Sequence, residues 1–239
     1  MCGIPGRRRT RVSGRVGAYP ARVEDDTDTP DWLDDTRASY DTVAASYADL
    51  LRDLLDETPH ERSALALFAA SVRDGGGGTV VDVGCGPGRI TAYLRGLGVD
   101  AYGIDLSPAM VEVARREHPG TRFETGSMTA LGLADASVAG LVAWYSLIHV
   151  PDAEVPSVLG HFQRALRPGA PLLLAFHVGD GSRLKTEGYG GHPMKVYVHL
   201  RRPDRLAALL DEAGFAVEAQ TTLASAESRL GALVFARRR

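Results

Sequence analysis

The feature that most constrains this chain is a glycine-rich loop that directly follows a short apolar segment. The segment at 79–83 is rich in β-branched residues, which is typical of a strand buried in a parallel sheet. Gly84, Gly86 and Gly88 follow it at alternate positions. Glycine permits positive φ and lets another group approach the backbone closely, because it has no Cβ. The sequence therefore predicts a tight turn out of a strand, with a ligand lying against the loop.

The spacing of the loop argues against two kinds of phosphate site. A dinucleotide-binding loop needs a glycine at the sixth place of G-x-G-x-x-G. That place holds Arg89 when the count starts at Gly84, and Thr91 when it starts at Gly86. A P-loop ends in Gly-Lys followed by Ser or Thr, and this loop does not. A nicotinamide dinucleotide and a nucleoside triphosphate are thus disfavoured as ligands.

Strand and helix patterns alternate along the rest of the chain. Predicted strands lie at 79–83, 99–104, 121–124, 139–144, 171–176, 215–222 and 231–236. Predicted helices lie at 88–96, 108–117, 152–166 and 204–213. This alternation implies right-handed crossovers, so we predict a doubly wound α/β fold, with a mostly parallel seven-stranded sheet covered by helices on both sides. Its ligand site should lie just beyond the first strand, where the strand order reverses.

The regions outside this alternation define the expected domain organisation. Residues 1–30 have a basic half, an acidic half and few apolar anchors, which predicts a mobile tail. Apolar residues from Tyr40 onward recur at steps of three and four, which predicts an amphipathic helix, and a second helix follows at about 60–73. A Gly-rich polar stretch runs to about 191, before an extended piece at 194–200. We expect a single domain at 31–239, with N-terminal lid helices at 31–74 and a substrate-site insertion at 179–203.

Composition and charge narrow the function classes. A net charge of -3 and a pI near 6.2 give no general electrostatic reason to bind nucleic acid. No window approaches the roughly eighteen apolar residues of a membrane span. Cys2 and Cys85 cannot form a disulfide framework, which favours a reducing cytoplasm. We expect a cytoplasmic protein with a small-molecule partner, no nucleic-acid or membrane partner and no metal.

The loop resembles the first motif of the class I S-adenosylmethionine (SAM)-dependent methyltransferases. That motif is an apolar strand, an acidic residue and then G-x-G-x-G, and residues 80–88 match it. Relatives also place an acidic residue at the end of the second strand, where it accepts hydrogen bonds from both ribose hydroxyls, and Asp105 stands there. The resemblance implies a Rossmann-like methyltransferase fold, SAM as cofactor and S-adenosylhomocysteine as product.

The resemblance also implies a set of residues that bind the cofactor. In relatives a small segment, often with an Asp, follows the third strand and reads the adenine edge, and here Ser127 replaces that Asp. The set comprises Tyr40, Tyr47, Asp82, Gly84, Cys85, Gly86, Gly88, Asp105, Leu106, Met110, Ser127, Met128, Trp144 and Tyr145.

Several of these residues also have a structural interpretation. Tyr40 and Tyr47 lie on an apolar helix face, so packing onto the sheet is as good an explanation as ligand contact. Trp144 and Tyr145 are neighbours in a strand pattern, so at most one of them should face the cofactor directly. Ordinary burial in the core would explain the other.

Histidines provide the candidates for proton transfer. His149 follows the fourth strand at the expected edge of the active site, so it is the first candidate for a general base. His177, at the end of the fifth strand, is the second. A structural or cofactor-shaping role is the alternative for both.

The resemblance implies methyl transfer by in-line displacement to a small molecule, such as a natural product, with oxygen, nitrogen and carbon acceptors all open. A SAM-binding regulator or catalytically silent partner is an alternative, because the binding motif says nothing about turnover. A methyltransferase that acts on a macromolecule is another, although the Asn/Asp-Pro-Pro-Tyr/Phe motif of amino-group DNA enzymes is absent after the fourth strand. A nicotinamide-dependent dehydrogenase is the third.

The assignment of Asp105 to the ribose is directly testable. We expect SAM to raise the Tm of the protein and Asp105→Ala to weaken that rise strongly, because the substitution removes the acceptor for two hydroxyl groups. Differential scanning fluorimetry with and without SAM measures both shifts. An unchanged shift in Asp105→Ala would contradict the ribose assignment, and a rise with NADH instead of SAM would revive the dehydrogenase.

Overall fold

A computed structural model describes residues 32–224 and 230–239 of this chain. Its strands are β1 (Thr79–Val83), β2 (Asp100–Asp105), β3 (Phe123–Thr125), β4 (Gly140–Trp144), β5 (Pro171–His177), β6 (Ser182–Gly188), β7 (His192–His199), β8 (Phe215–Ala224) and β9 (Leu230–Arg238). Its α-helices are α1 (Trp32–Leu51), α2 (Pro59–Asp74), α3 (Arg89–Gly96), α4 (Pro108–Glu117), α5 (Val155–Ala165) and α6 (Pro203–Glu212). The mobile tail predicted at 1–30 lies outside the described residues.

Seven strands form one sheet in the order β3-β2-β1-β4-β5-β9-β8. The first five of these pair in parallel, whereas β9 is antiparallel to both β5 and β8. The predicted doubly wound, mostly parallel seven-stranded sheet is therefore confirmed. The strand order reverses between β1 and β4, so the glycine loop after β1 lies at the switch point.

Apolar side chains cover both faces of this sheet. Leu141 and Ala143 of β4 pack on one face with α5, whose Phe162 is fully buried. Val142, between them, packs on the opposite face with α2, whose Phe68 is also fully buried. Alternate residues of β4 thus belong to opposite cores, as the two-residue period of a strand requires. Both sides of the strand are consequently apolar.

The region at 179–203 differs from the expectation. Only a Gly-rich polar stretch was expected up to about 191, but β6 forms there and pairs antiparallel with β7 in a separate two-stranded sheet. Tyr189, Gly190 and Gly191 join the strands, all with positive φ, and glycine supplies that conformation at low cost. The prediction was wrong because exposed residues of β6, such as Arg183 and Glu187, conceal the apolar alternation of a strand. The extended piece at 194–200 is confirmed, as most of β7.

Helix α1 is held between α4 and β7. Its buried Val43 and Ala44 pack against Met110 of α4 and Val196 of β7. A carboxylate oxygen of Asp41 accepts hydrogen bonds from the start of α4, and the hydroxyl of Ser39 accepts one from β7. The two predicted N-terminal helices are present, and α1 bridges the main sheet to the hairpin. The role of 31–74 as a lid and the single-domain boundaries stay predictions.

No helix in the two described ranges is long and apolar enough to cross a membrane.

Gly84 permits a close contact between the loops after β1 and β4. Its φ is 76°, in the left-handed region, and a Cβ built on it would lie 2.2 Å from the Cβ of Ser146. The hydroxyl of Ser146 donates a hydrogen bond to the carbonyl oxygen of Val83, at 2.7 Å. The absence of a side chain at Gly84 therefore lets the two loops meet at the switch point.

We expect Gly84→Ala to be far more destabilising than Gly98→Ala. Both glycines have positive φ, at 76° and 81°, but a Cβ at Gly98 would meet nothing within 4 Å. Gly98→Ala should lower the free energy of unfolding by about 1 to 2 kcal/mol, the cost of the left-handed backbone. Gly84→Ala adds a steric overlap that should cost roughly 2 kcal/mol more. Urea denaturation of both variants measures the difference, and equal losses would show that the overlap is relieved.

Candidate active site

A large cavity lies at the carboxyl ends of β1, β2 and β4. Its volume is about 1470 Å³, which exceeds the roughly 300 to 1,000 Å³ of a site for one small ligand. Residues of α1 and of the β6–β7 hairpin form part of its wall. The cavity therefore has room for a cofactor and a second molecule.

All but one of the predicted site residues line this cavity. These are Tyr40, Tyr47, Asp82, Gly84, Cys85, Gly86, Asp105, Leu106, Met110, Ser127, Met128, Trp144, Tyr145, His149 and His177. Gly88 is not among them. It precedes α3 with a φ of 84°, and a Cβ there would lie 2.5 Å from the ring of Phe123. The structure therefore gives Gly88 a packing role.

Asp105 connects the glycine loop to the end of β2. Its Oδ2 accepts a hydrogen bond from the backbone N–H of Gly86 at 2.7 Å, and its Oδ1 accepts one from that of Ser107 at 2.9 Å. Burial raises the pKa of this carboxyl to about 6, although these two bonds act in the opposite direction. A Cβ on Gly86 would meet only the ring of Tyr47, at 3.9 Å. The backbone of Gly86 thus faces the cavity beside Asp105.

Three buried polar atoms of the cavity lining have no hydrogen-bond partner among the described residues. They are Oδ1 of Asp82, Nη1 of Arg89 and Nε1 of Trp144. The other oxygen of Asp82 accepts a hydrogen bond from the hydroxyl of Thr91 at 2.7 Å, and burial raises the pKa of Asp82 to about 7. One acceptor and two donors left in a cavity suit a ligand that carries both an ammonium group and a carboxylate.

Sequence reasoning missed Arg89 as a site residue. The sequence pattern singles out Arg89 only as the residue that breaks the dinucleotide fingerprint. Its position in the first turn of α3, directly after the glycine loop, was the signal that could have identified it.

The side chain of Cys85 is directed into the protein. It packs with Val111, Ala114 and Phe123, and its Sγ would lie 2.5 Å from a Cβ on Gly103. Burial raises the pKa of the thiol well above its usual value. Cys85 therefore faces the cavity mainly with its backbone and not with a reactive thiol.

Trp144 and Tyr145 both line the cavity, although alternation along a strand predicted that only one would face it. β4 ends at Trp144, and Tyr145 has a φ of 50°, so the alternation does not extend to it. The rings meet edge to face, with centroids 6.0 Å apart.

Ser127 and Met128 begin a short 3₁₀ helix after β3. The hydroxyl of Ser127 lies 2.7 Å from that of Thr129 and accepts a hydrogen bond from the backbone N–H of Thr129 at 3.2 Å. The adenine contact predicted for this segment stays a prediction.

His149 is hydrogen-bonded through both ring nitrogens. Its Nδ1 lies 2.8 Å from the carbonyl oxygen of Tyr197, and its Nε2 lies 2.7 Å from the hydroxyl of Tyr40. Because a carbonyl only accepts, we assign the proton to Nδ1, which leaves Nε2 to accept the hydroxyl proton of Tyr40. Burial lowers the pKa of His149 to about 4 and raises that of Tyr40. The pair is therefore a neutral imidazole with a neutral phenol.

His177 contacts a different set of residues from those that His149 contacts. Its ring packs on that of Tyr145 with centroids 5.0 Å apart, and the hydroxyl of Tyr145 donates a hydrogen bond to Oε1 of Glu61 at 3.1 Å. Sequence reasoning missed Glu61, because a glutamate in the first turn of a helix is ordinary. It carries no distinguishing pattern.

Arg201 fixes the segment that carries His149. Its guanidinium donates to the carbonyl oxygen of Leu147 at 2.9 Å, to that of Val150, and to Oδ1 of Asp152 at 2.9 Å. The side chain is only 2% exposed. It lies two residues after the end of β7, so the hairpin is tied to the loop after β4.

Comparison with known proteins identifies the family. Residues 80–169 match the family described as methyltransferase domain. An O-methyltransferase of Pyrenophora dematioidea is 30% identical over 209 residues, which cover 77% of this chain and 76% of that protein. The chain belongs to the class I SAM-dependent methyltransferase family. An O-methyltransferase of Penicillium expansum is 34% identical over 145 residues, which cover 58% of this chain and 52% of that protein. The chain spans about half the length of several curated relatives it matches.

Solved structures of methyltransferases share the fold. Magnesium protoporphyrin IX methyltransferase from Synechocystis PCC 6803, with bound SAM, superposes with a TM-score of 0.66 at 16% identity. The match covers 89% of this chain and 99% of that one. A SAM-dependent methyltransferase from Methanosarcina mazei gives a TM-score of 0.59 at 23% identity, covering 67% of this chain and 92% of that one.

SAM is the cofactor of this methyltransferase family, and S-adenosylhomocysteine is the product. The residues present fit SAM, whose amino-acid end carries an ammonium group and a carboxylate and whose ribose carries two hydroxyls. The unpartnered oxygen of Asp82 suits the ammonium group, Nη1 of Arg89 suits the carboxylate, and Asp105 suits the hydroxyls. These residue assignments stay predictions.

We expect SAM binding to release protons at pH 6.5. Burial raises the pKa of Asp82 to about 7 and that of Asp105 to about 6, so both are partly protonated at this pH. A cation beside Asp82 and hydroxyl donors beside Asp105 favour the ionised forms, so about one proton in total should leave. Calorimetry in buffers of different ionisation enthalpy measures it. At pH 8.5 the release should vanish, and a pH-independent value would contradict the raised pKa values.

Proposed function

We propose that this protein transfers the methyl group of SAM to a hydroxyl oxygen of a small molecule. The Tyr40–His149 pair is the observation that carries the proposal. Both residues line a cavity large enough for two molecules, and their hydrogen bond supports a role in accepting a proton there. A hydroxyl acceptor needs such a group, because its oxygen is a weak nucleophile until its proton leaves.

SAM supplies a methyl group that is already activated on a sulfonium, so the protein chiefly orients the acceptor and excludes water. In our proposal the acceptor hydroxyl gives its proton to the oxygen of Tyr40 while Tyr40 gives its own proton to Nε2 of His149. His149 then carries the positive charge, which its hydrogen bond to the carbonyl of Tyr197 stabilises. The net result is one proton moved from the acceptor to His149.

Three further observations support a small oxygen acceptor. α1 and the hairpin cover part of the cavity, which suits a compact ligand. The net charge of -3 gives no general attraction for nucleic acid. The curated relatives from Pyrenophora dematioidea and Penicillium expansum are both named O-methyltransferases. Modification of a natural product and a cytoplasmic location stay predictions.

The proposal is tested by incubating the protein with methyl-labelled SAM and pools of phenols, alcohols, amines and carbon acids. Label should move to hydroxyl oxygens. At saturating SAM, His149→Gln and Tyr40→Phe should each lower kcat by roughly 10²-fold or more, the usual contribution of proton transfer. His192→Gln, at an exposed position of β7, is the matched control and should leave kcat unchanged.

The pH dependence gives an independent readout. A histidine of pKa near 4 stays neutral and able to accept a proton until the pH falls towards that value. The kcat should therefore not drop through pH 6.5 but only on approach to pH 4. Transfer of label solely to nitrogen or carbon would contradict an oxygen acceptor, and SAM binding without any product would favour a catalytically silent partner.

A further inference from the structure

A buried carboxylate in the cavity has no part in the proton transfer proposed above. Glu61, in the first turn of α2, lines the cavity and is only 9% exposed. Its hydrogen bond from the hydroxyl of Tyr145 leaves Oε2 without a hydrogen bond within 32–224 and 230–239, and Glu61 forms no ion pair there. A carboxylate this far buried is stabilised by a cation or by hydrogen-bond donors that a ligand can bring. The cavity wall therefore offers a ligand an acceptor oxygen that no described residue occupies.

The protein holds Tyr145 against Glu61 at a conformational cost. Tyr145 has a φ of 50°, a left-handed conformation that residues other than glycine rarely adopt. The space for its hydroxyl exists because residue 231 is glycine, where a Cβ would lie 2.7 Å from the hydroxyl oxygen. Strain of this kind persists where the surrounding structure fixes it, and it concentrates at ligand sites.

Aromatic rings pack around Tyr145, the residue that donates to this carboxylate. The ring of Trp144 lies edge to face with that of Tyr145. The ring of His177 packs on the ring of Tyr145 at an interplanar angle of 36°. Aromatic faces attract cations through the ring quadrupole, and a carboxylate attracts them through its charge. An ammonium group on an apolar or aromatic molecule satisfies both.

We propose that Glu61 and Tyr145 bind an ammonium group of the methyl acceptor, which is therefore an amine that is protonated at neutral pH. This inference rests on the proposed function, because it names the acceptor class of that reaction. Asp82 and Arg89 already offer one acceptor and one donor for the zwitterionic end of SAM. With Asp105 assigned to the ribose hydroxyls, Glu61 is the buried carboxylate that remains for the second molecule. The ammonium group anchors the acceptor molecule, and a hydroxyl oxygen of that molecule is the atom that is methylated.

The binding test uses protein saturated with S-adenosylhomocysteine and a matched pair of probes, 2-phenylethylamine and 2-phenylethanol. The two probes differ only in that the first carries an ammonium group where the second carries a hydroxyl. Ligand-observed NMR titration should give a Kd for the amine at least about tenfold lower, as a charge-assisted hydrogen bond implies. Glu61→Gln should abolish that preference, and Glu61→Asp should retain part of it. Glu57→Gln, at an exposed glutamate that lines the same cavity, is the control and should leave it intact.

A second arm distinguishes the acceptor from the cofactor as the source of the ammonium group. Glu61→Gln should change the Kd of S-adenosylhomocysteine by less than about twofold. A loss of tenfold or more, with the Kd of 5′-methylthioadenosine unchanged, would assign Glu61 to the cofactor and overturn the proposal. 5′-Methylthioadenosine lacks the amino-acid end, so it reports on the rest of the site.

Equal affinities of the wild-type protein for the two probes would also overturn it. If Glu61→Gln does not fold, Tyr145→Phe provides the test, because it keeps the carboxylate and should weaken amine binding while sparing alcohol binding. None of these measurements needs turnover. A protein that binds the amine yet transfers no label would contradict the proposed function and leave the ammonium site standing.

Discussion

The contact between Gly84 and Ser146 is the constraint on which the site depends. β1 and β4 are neighbours at the point where the strand order reverses, and their following loops diverge to opposite halves of the sheet. Ser146 lies where a side chain of residue 84 would be, and its hydroxyl is bonded to the carbonyl of Val83. The glycine loop is therefore held against the segment that carries Tyr145 and His149. For this reason the sites proposed for the cofactor and for the acceptor are close neighbours.

The second constraint on the site is the burial of Asp82, which its hydrogen bond from Thr91 offsets only in part. Asp82 is fully buried, and its pKa of about 7 lies far above the ordinary 3.8 of an aspartate. The unfolded chain ionises from pH 3.8 upward while the folded carboxyl resists, so this group lowers stability as the pH rises through that interval. The loss is complete only above about pH 7. A cation in the cavity removes the penalty, so the fold stores electrostatic energy that favours binding of a positively charged ligand.

The sequence predicted the sheet because its signals are local. β-Branched runs and the glycines each act through their own backbone, and the cap of α4 is equally local, because the hydroxyl of Ser107 accepts a hydrogen bond from the N–H of Met110. Asp105 was predictable from the resemblance to the methyltransferase family, which places an acidic residue at the end of the second strand, and Asp105 does end β2. Glu61 was not, because its role depends on Tyr145, which lies 84 residues away. Strand β6 was missed because its exposed polar residues conceal the alternation of a strand, whereas most of β7 was predicted.

Ser107 shows how α1 is coupled to the cofactor half of the cavity. Its backbone N–H donates to Asp105, while its hydroxyl donates to Asp41 of α1 at 2.5 Å. The negative charge of Asp41 also contributes to the raised pKa of Asp105. Any displacement of α1 that withdraws Asp41 therefore makes Asp105 easier to ionise and a better acceptor for hydroxyl donors. Because the same helix carries Tyr40, the position of α1 is linked both to the ionisation of Asp105 and to the hydrogen bond of His149.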